Sequence, residues 1–152
     1  RMITKLVEHG RMGQKTGAGI YKYDGRKAMP DAEVAALAKI EAKALGVKQI
    51  EVTDEEIIER LFYPMINEGA LILEEGIALR PSDIDVIYAS GYGMARYRGG
   101  PMWYADTVGL KSVRDAMYKY RERYGDLYWS PASLLEDLVS AGKTFDEWSK
   151  SR

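Results

Sequence analysis

The chain has 152 residues, enough to bury roughly 70% of its unfolded surface in one sizeable core or two small helical units, with a single compact body as the default expectation. Twenty-two Lys plus Arg against 23 Asp plus Glu leave a formal net charge of -1, so no overall field draws it to nucleic acid or to an anionic membrane. It has no cysteine and one histidine, His9, which excludes disulfides and thiolate metal sites, and its apolar runs fall far short of the ~18 residues a membrane span needs.

The chain opens inside a helix-like stretch, "RMITKLVEHG", which points to something longer upstream and makes His9 a surface or helix-end residue. "GRMGQKTGAGIYKYD", residues 10–24, then concentrates glycines around a Lys-Thr pair. A phosphate-binding loop needs lysine directly after its last glycine, and here Gln14 intervenes between Gly13 and Lys15. A dinucleotide fingerprint needs a third glycine and a following helix, but Lys22 holds that position and a strand-like piece follows. Glycines that permit positive φ and close backbone approach are the favoured reading, with an anion site at Lys15 and Thr16 as the remaining one. "GIYKYD" alternates Ile20, Lys22 and Asp24 with Tyr21 and Tyr23, the pattern of a strand, and "DGRKAMP" reads as a linker.

From residue 31 the chain is mostly helical. "DAEVAALAKIEAKALG" spaces Val34, Leu37, Ile40 (or Ala38), Ala44 and Leu45 by threes and fours, with Gly46 as a stop. A second helix follows Thr53 and Glu56, which form a capping-box pair. Its apolar series is Ile57, Ile58, Leu61, Phe62, Met65, Ile66, Ile72 and Leu73, and Pro64 inside it predicts a kink. "SDIDVIYASG" is expected to start at Ser82, with Asp85 three residues on. After the glycine-rich "GYGMARYRGGP", Pro101 opens a helix through "MWYADTVG". The next carries Leu110, Val113, Met117, Tyr120 and Tyr124, and the last takes Ser130 as cap, Pro131 at its first position, and Leu134, Leu135, Leu138 and Val139 as its stripe. The fold class is all-α, a helical bundle-like domain with a short extended N-terminal segment. Residues 1–30 are expected to be the tail of a preceding helical domain plus linker, and 31–152 the helical C-terminal domain.

Two further stretches carry ordinary readings. "YKYRERYGDLYW" interleaves basic and aromatic residues, but Glu122 and Asp126 dilute the charge and the tyrosines keep helical spacing, so nucleic acid is not an expected partner. Glu68 and Glu75 lie two turns apart and Glu74 faces elsewhere, which argues against a paired acid–base site, and a solvated face is expected for them.

"GRMGQKTGAGIYKYD" resembles the closing segment of the C-terminal domain in the 3-hydroxyacyl-CoA dehydrogenase family. "IIERLFYPMINEGALILEEGIALRPSDIDVIYASGYGMARYRGGPMWYADTVGL" resembles a second copy of that domain, as at the tail of multifunctional β-oxidation proteins. The resemblance covers nearly all of residues 1–125. It implies a parent enzyme that oxidises (3S)-3-hydroxyacyl-CoA to 3-oxoacyl-CoA with NAD, through a nucleotide domain and a histidine–carboxylate pair upstream of this piece. No catalytic residue, no cofactor and no metal is therefore expected in the chain itself. Catalytic copies of the domain carry an asparagine one residue before the Arg-Leu of the Pro-containing helix, and here that position is Glu59. An ionised carboxylate repels a developing oxyanion, so the copy reads as structural, a solvated or ion-paired Glu59 included.

The implied partners are the upstream dehydrogenase domains and the parent's acyl-CoA substrate. Arg96, Tyr97, Arg98 and Met102 are the substrate-adjacent candidates, within a cluster of Tyr92, Met94, Tyr97, Met102, Trp103 and Tyr104 whose other reading is core and interface packing. An alternative function is a stand-alone interaction module docking a pathway partner such as thiolase. The ending "EWSKSR" lacks the Ser-Lys-Leu of peroxisomal import, so the expected location is the cytoplasm, a bacterial one.

Overall fold

A computed structural model describes residues 1–151. The chain divides into two compact units, residues 1–51 and 52–152, in place of the single body expected from length. The contact boundary thus falls after Glu51, whereas the sequence pattern puts a boundary after Pro30, so the helix after Pro30 groups with the glycine-rich segment.

The first unit holds helix α1 (Met2–Glu8), a two-stranded antiparallel hairpin of β1 (Lys22–Asp24) and β2 (Lys27–Met29), and helix α2 (Ala32–Ala44). Lys22 pairs with Met29 and Asp24 with Lys27, so Gly25 and Arg26 form a two-residue hairpin turn where a linker was expected. Gly25 adopts φ +57°, the left-handed conformation such turns need. The glycine run is a folded loop. The N–H of Gly13 donates to the Ala18 carbonyl at 2.9 Å, and a Cβ on Gly19 would lie 2.7 Å from the Gly13 Cα, so position 19 admits glycine alone. The α2 stripe differs from its sequence pattern: Val34 is buried, but Ile40 and Leu45 are exposed.

The second unit is built on α3 (Asp54–Glu74), α4 (Pro81–Gly91), α5 (Pro101–Val108), α6 (Leu110–Tyr124), α7 (Ser133–Ala141) and α8 (Phe145–Lys150). Helix α3 continues through Pro64, whose missing N–H leaves the Arg60 carbonyl without its helical partner. The Thr53 hydroxyl accepts from the Glu56 N–H at 3.1 Å, whereas the Glu56 carboxylate turns to Arg60 and Arg123, so the cap is one-sided. Ile66, Ala70 and Leu73 on α3, Met102 and Ala105 on α5, Val113, Met117 and Tyr120 on α6, Leu135 and Leu138 on α7, and Phe145 on α8 make one buried core. Each large apolar side chain so buried contributes about 1.5–3 kcal/mol. Ile57, Ile58 and Leu61 in the first turns of α3 are exposed, although the same periodic series had placed them inside.

Three helix starts are held by side chains from elsewhere in the fold. The Asp85 carboxylate on α4 accepts from the N–H groups of Met102 (2.8 Å) and Trp103 (3.1 Å), capping α5. Asp106 on α5 accepts from Phe145 (2.9 Å) and Asp146 (3.0 Å), capping α8. The Asn67 amide on α3 accepts from Ala132 N–H at 2.7 Å and donates to the Ser130 carbonyl at 2.9 Å, and Glu74 accepts from Leu134 N–H. The expected caps Ser82 and Ser130 do not serve: α4 begins at Pro81 after Arg80, with Asp83 accepting from the Arg80 N–H at 3.1 Å, and α7 begins after Ala132. Glu74, expected on a solvated face, is likewise corrected to a cap.

Candidate functional site

The chemistry-bearing residues singled out in the sequence gather on one side of the second unit, where α3 and α5 flank the loop between α4 and α5. Packing of α5 against its neighbours is close: a Cβ on Gly100 would meet the Cα of Asp85 on α4 at 2.3 Å, and a Cβ on Gly69 of α3 would meet the Met102 Sδ at 2.4 Å. Gly99 at φ +71° then turns the chain into Pro101, the first residue of α5. Arg96–Arg98 form a short 3-10 turn closed by Arg98 N–H to the Ala95 carbonyl at 2.8 Å.

This turn displays Arg96, Tyr97 and Arg98 together. Tyr97 is 84% exposed, and the Arg98 guanidinium lies 5.4 Å from the centroid of its ring and 6.0 Å from that of Tyr104. Met102 is not part of this surface: it is 0% exposed, with its sulfur wedged against α3 at Gly69. The bulk of a thioether suits that core position, and from it the side chain cannot reach a ligand at the turn.

Two openings adjoin here and share Ile58 and Tyr104. One, of about 240 Å³, is lined by Ile58, Phe62, Met94, Ala95, Tyr97, Arg98 and Tyr104. The other, of about 720 Å³, is lined by Glu55, Ile58, Glu59, Tyr63, Tyr104, Val108 and Ser112. Burial, then the charge of Glu59, pushes the Tyr63 phenol up to about 12, so it stays protonated throughout the physiological range. Tyr120 is driven higher still by burial and by its hydrogen bond to Glu59. The Tyr120 hydroxyl donates to Glu59 Oε2, and Lys119 Nζ stands 3.7 Å from the same carboxylate. The Glu59 carboxylate accepts from Tyr120 and faces the Lys119 ammonium, and a carboxylate cannot donate to an oxygen gaining negative charge. The Glu59 partner was not legible locally, since Tyr120 lies on another helix; its only sequence sign was a tyrosine on the apolar stripe of α6.

In the first unit Lys15 is exposed, and the Thr16 hydroxyl is spent on the loop itself, donating toward the carbonyls of Gly13 (3.1 Å) and Ala18 (3.0 Å) and accepting from Met12 N–H (3.0 Å). His9 caps the end of α1, with Nδ1 2.7 Å from the Lys5 carbonyl oxygen. Among the described residues no group of three or more His, Cys, Asp or Glu is placed to hold a metal ion, and no helix is long and apolar enough to cross a membrane.

Residues 57–149 match the family described as 3-hydroxyacyl-CoA dehydrogenase, C-terminal domain. The chain is 43% identical over 141 residues to the peroxisomal bifunctional enzyme of Danio rerio, covering 90% of this chain and 20% of that protein. It is 42% identical over 148 residues to the Homo sapiens enzyme of the same name, covering 94% and 20%. A peroxisomal fatty acid beta-oxidation multifunctional protein of Arabidopsis thaliana is 35% identical over 156 residues, covering 99% and 22%. The chain thus spans about a fifth of the length of these curated relatives. In fold it is similar to the dehydrogenase part of multifunctional enzyme 1 from C. elegans, with TM-score 0.62 and 22% identity over 90% of this chain and 32% of that one. It is also similar to M. tuberculosis FadB2, with TM-score 0.53 and 23% identity over 76% and 40%. The expectation of a bacterial cytoplasm is corrected by these relatives, which are named as peroxisomal enzymes of animals and plants. A terminal tripeptide is an address only at a protein's own terminus, and this chain spans a fifth of its relatives' length, so "EWSKSR" carries no information on location.

Proposed function

The chain belongs to the 3-hydroxyacyl-CoA dehydrogenase C-terminal domain family, and from that premise we propose that it is the closing helical part of a multifunctional β-oxidation enzyme. The parent would oxidise (3S)-3-hydroxyacyl-CoA to 3-oxoacyl-CoA with NAD, while this part supports the catalytic half by packing and moves neither proton nor hydride. On this reading residues 1–51 close a first helical copy and residues 52–152 are a second.

One observation carries the proposal. At the position where catalytic copies are expected to hold an asparagine amide, Glu59 offers a carboxylate already engaged by the Tyr120 hydroxyl and flanked by Lys119. A group so committed ties α3 to α6 and is the wrong sign for an oxyanion partner.

The glycine run also does not fit NAD. It leads into the hairpin β1–β2 where a dinucleotide site needs a helix N-terminus, and the Thr16 hydroxyl is turned onto its own loop. NAD in the parent would therefore be held by other polypeptide.

The test is an assay of NADH production from a 3-hydroxyacyl-CoA and NAD by the 152-residue chain alone. The expected rate is that of buffer. Turnover above it that disappears in Glu59→Gln would overturn the supporting role.

A further inference from the structure

We propose that the second unit carries a binding site for an amphiphilic anion, an aliphatic chain with a carboxylate or phosphate head, in the cavity beside Arg98. This goes beyond the dehydrogenase reading and does not rest on it.

The cavity of about 240 Å³ has six apolar or aromatic lining residues and a single charged one, Arg98. A few polar groups set in an apolar wall is the usual composition of a small-molecule site. At about 30 Å³ for each water-sized group, 240 Å³ accommodates about eight methylene-sized groups.

The head group is indicated by charge. In residues 52–152, Arg60, Arg80, Arg114, Arg121 and Arg123 each pair with a carboxylate. Arg96 and Arg98 have no carboxylate within ion-pair distance among the described residues. Arg98 is held by the faces of Tyr97 and Tyr104, contacts that position a guanidinium without neutralising it, so its N–H groups remain available to an oxyanion. Arg96, two residues away on the same 3-10 turn, adds a second positive charge. The neighbouring opening is lined by Glu55 and Glu59, whose carboxylates disfavour an anionic head there, so the head is placed at Arg98.

Calorimetric titration of the whole chain with decanoate, decyl phosphate, decan-1-ol and inorganic phosphate tests this. Decanoate and decyl phosphate are expected to saturate one site and to compete, the tighter of the two identifying the preferred head. Decan-1-ol should bind about tenfold more weakly, the loss of one charge-assisted contact. Arg98→Met should weaken decanoate by about tenfold or more and leave decan-1-ol unchanged, a pattern that general loss of structure would not give. Ala95→Trp, which fills the cavity, should remove both, with circular dichroism confirming that helix content is kept. Absence of saturable decanoate binding would overturn the proposal. So would equal decanoate affinity in the wild type and both variants, or inorganic phosphate binding as tightly as decyl phosphate.

Discussion

Asn67 offers a direct measure of how much the second unit depends on side-chain caps that cross between elements. Its side chain is buried, and its amide satisfies both the Ala132 N–H at 2.7 Å and the Ser130 carbonyl at 2.9 Å. Truncation in Asn67→Ala leaves one donor and one acceptor without partners, in a place where Ala132 is itself buried. The orphaned Ala132 N–H costs about 1–3 kcal/mol, whereas Ser130 is exposed and its carbonyl can turn to water. The loss is therefore about 2 kcal/mol, still a sizeable share of the ~5–15 kcal/mol that holds a typical domain together. Urea unfolding followed by circular dichroism should show the midpoint falling while the slope is retained, and the melting temperature should drop by at least about 10 °C. Asn67→Asp sharpens the reasoning. At neutral pH its carboxylate keeps the acceptor for Ala132 but faces the Ser130 carbonyl without a proton to donate, whereas the protonated acid can again serve both. The Asp variant should therefore be closer to wild type at pH near 4 than at pH near 7. A loss below about 1 kcal/mol in Asn67→Ala, or an Asp variant that weakens relative to wild type on acidification, would refute the account of this cap.

Gly69→Ala should destabilise by about 1–3 kcal/mol through overpacking, because the new methyl would lie 2.4 Å from the Met102 sulfur. Met102→Ala should then cost less in the Gly69→Ala background than in the wild type, a coupling that a double-mutant cycle in urea would read. Asp85 has its carboxyl raised by burial, with the Met102 and Trp103 N–H groups pulling it partly back and the Asp106 charge adding to the rise. Its folded pKa thus exceeds the unfolded value, so its stabilising contribution is complete in acid and declines as pH rises from about 4 through the folded value. The stability of wild type relative to Asp85→Asn should accordingly be greater near pH 3.5 than near pH 7, and thermal melts that give the reverse order would contradict this. Asp31 in the first unit has the opposite sign. Burial pushes its carboxyl up, but the Arg11 hydrogen bond, the Glu33 N–H and the charges of Arg11 and Lys22 together hold it below 3.8. Its contribution is present above that value and lost as pH falls through the lower folded one, so amide protection factors in residues 1–51 should fall there, and Arg11→Met should diminish that pH dependence.

Much of the helical order was legible because it is local. The apolar spacing of α6 and α7 placed Val113, Met117, Tyr120, Leu135 and Leu138 in the core where the structure has them. Pro101 at the first position of α5 follows from its missing N–H and fixed φ. The same periodicity misled at Ile57, Ile58, Leu61, Ile40 and Leu45, all of them exposed, since spacing identifies an apolar face without saying how far along it the covering helices extend. The hairpin turn at Gly25 and Arg26 was missed because β2, "KAM", shows no burial alternation: its three residues are all exposed.

The caps explain the larger part of what stayed hidden. A search for caps in sequence looks for Ser, Thr, Asp or Asn at the residue before the helix, because only there can a short side chain reach its own N–H groups. That rule succeeded at Thr53, whose hydroxyl accepts from the Glu56 N–H; Thr144, which caps α8 in the same way, lies after the last helix the sequence pattern marked out. It failed for α7, where Asn67 and Glu74 on α3 take the place of Ser130, and it gave no hint for α5, whose N-cap residue is Gly100 with Asp85 supplying the carboxylate. A local cap stabilises one helix. A cap delivered from another helix also fixes the distance and rotation between the two, so Asp85, Asp106, Asn67 and Glu74 set the packing of α4 on α5, α5 on α8 and α3 on α7. Gly100 follows from the same contact: with the Asp85 Cα 2.3 Å from where its Cβ would be, the carboxylate reaches the first N–H groups of α5 only if that residue has no side chain. The loop bearing Arg96 and Arg98 is therefore anchored at its α5 end by the pairing of an aspartate with a glycine, and the spacing between those two residues carries no motif.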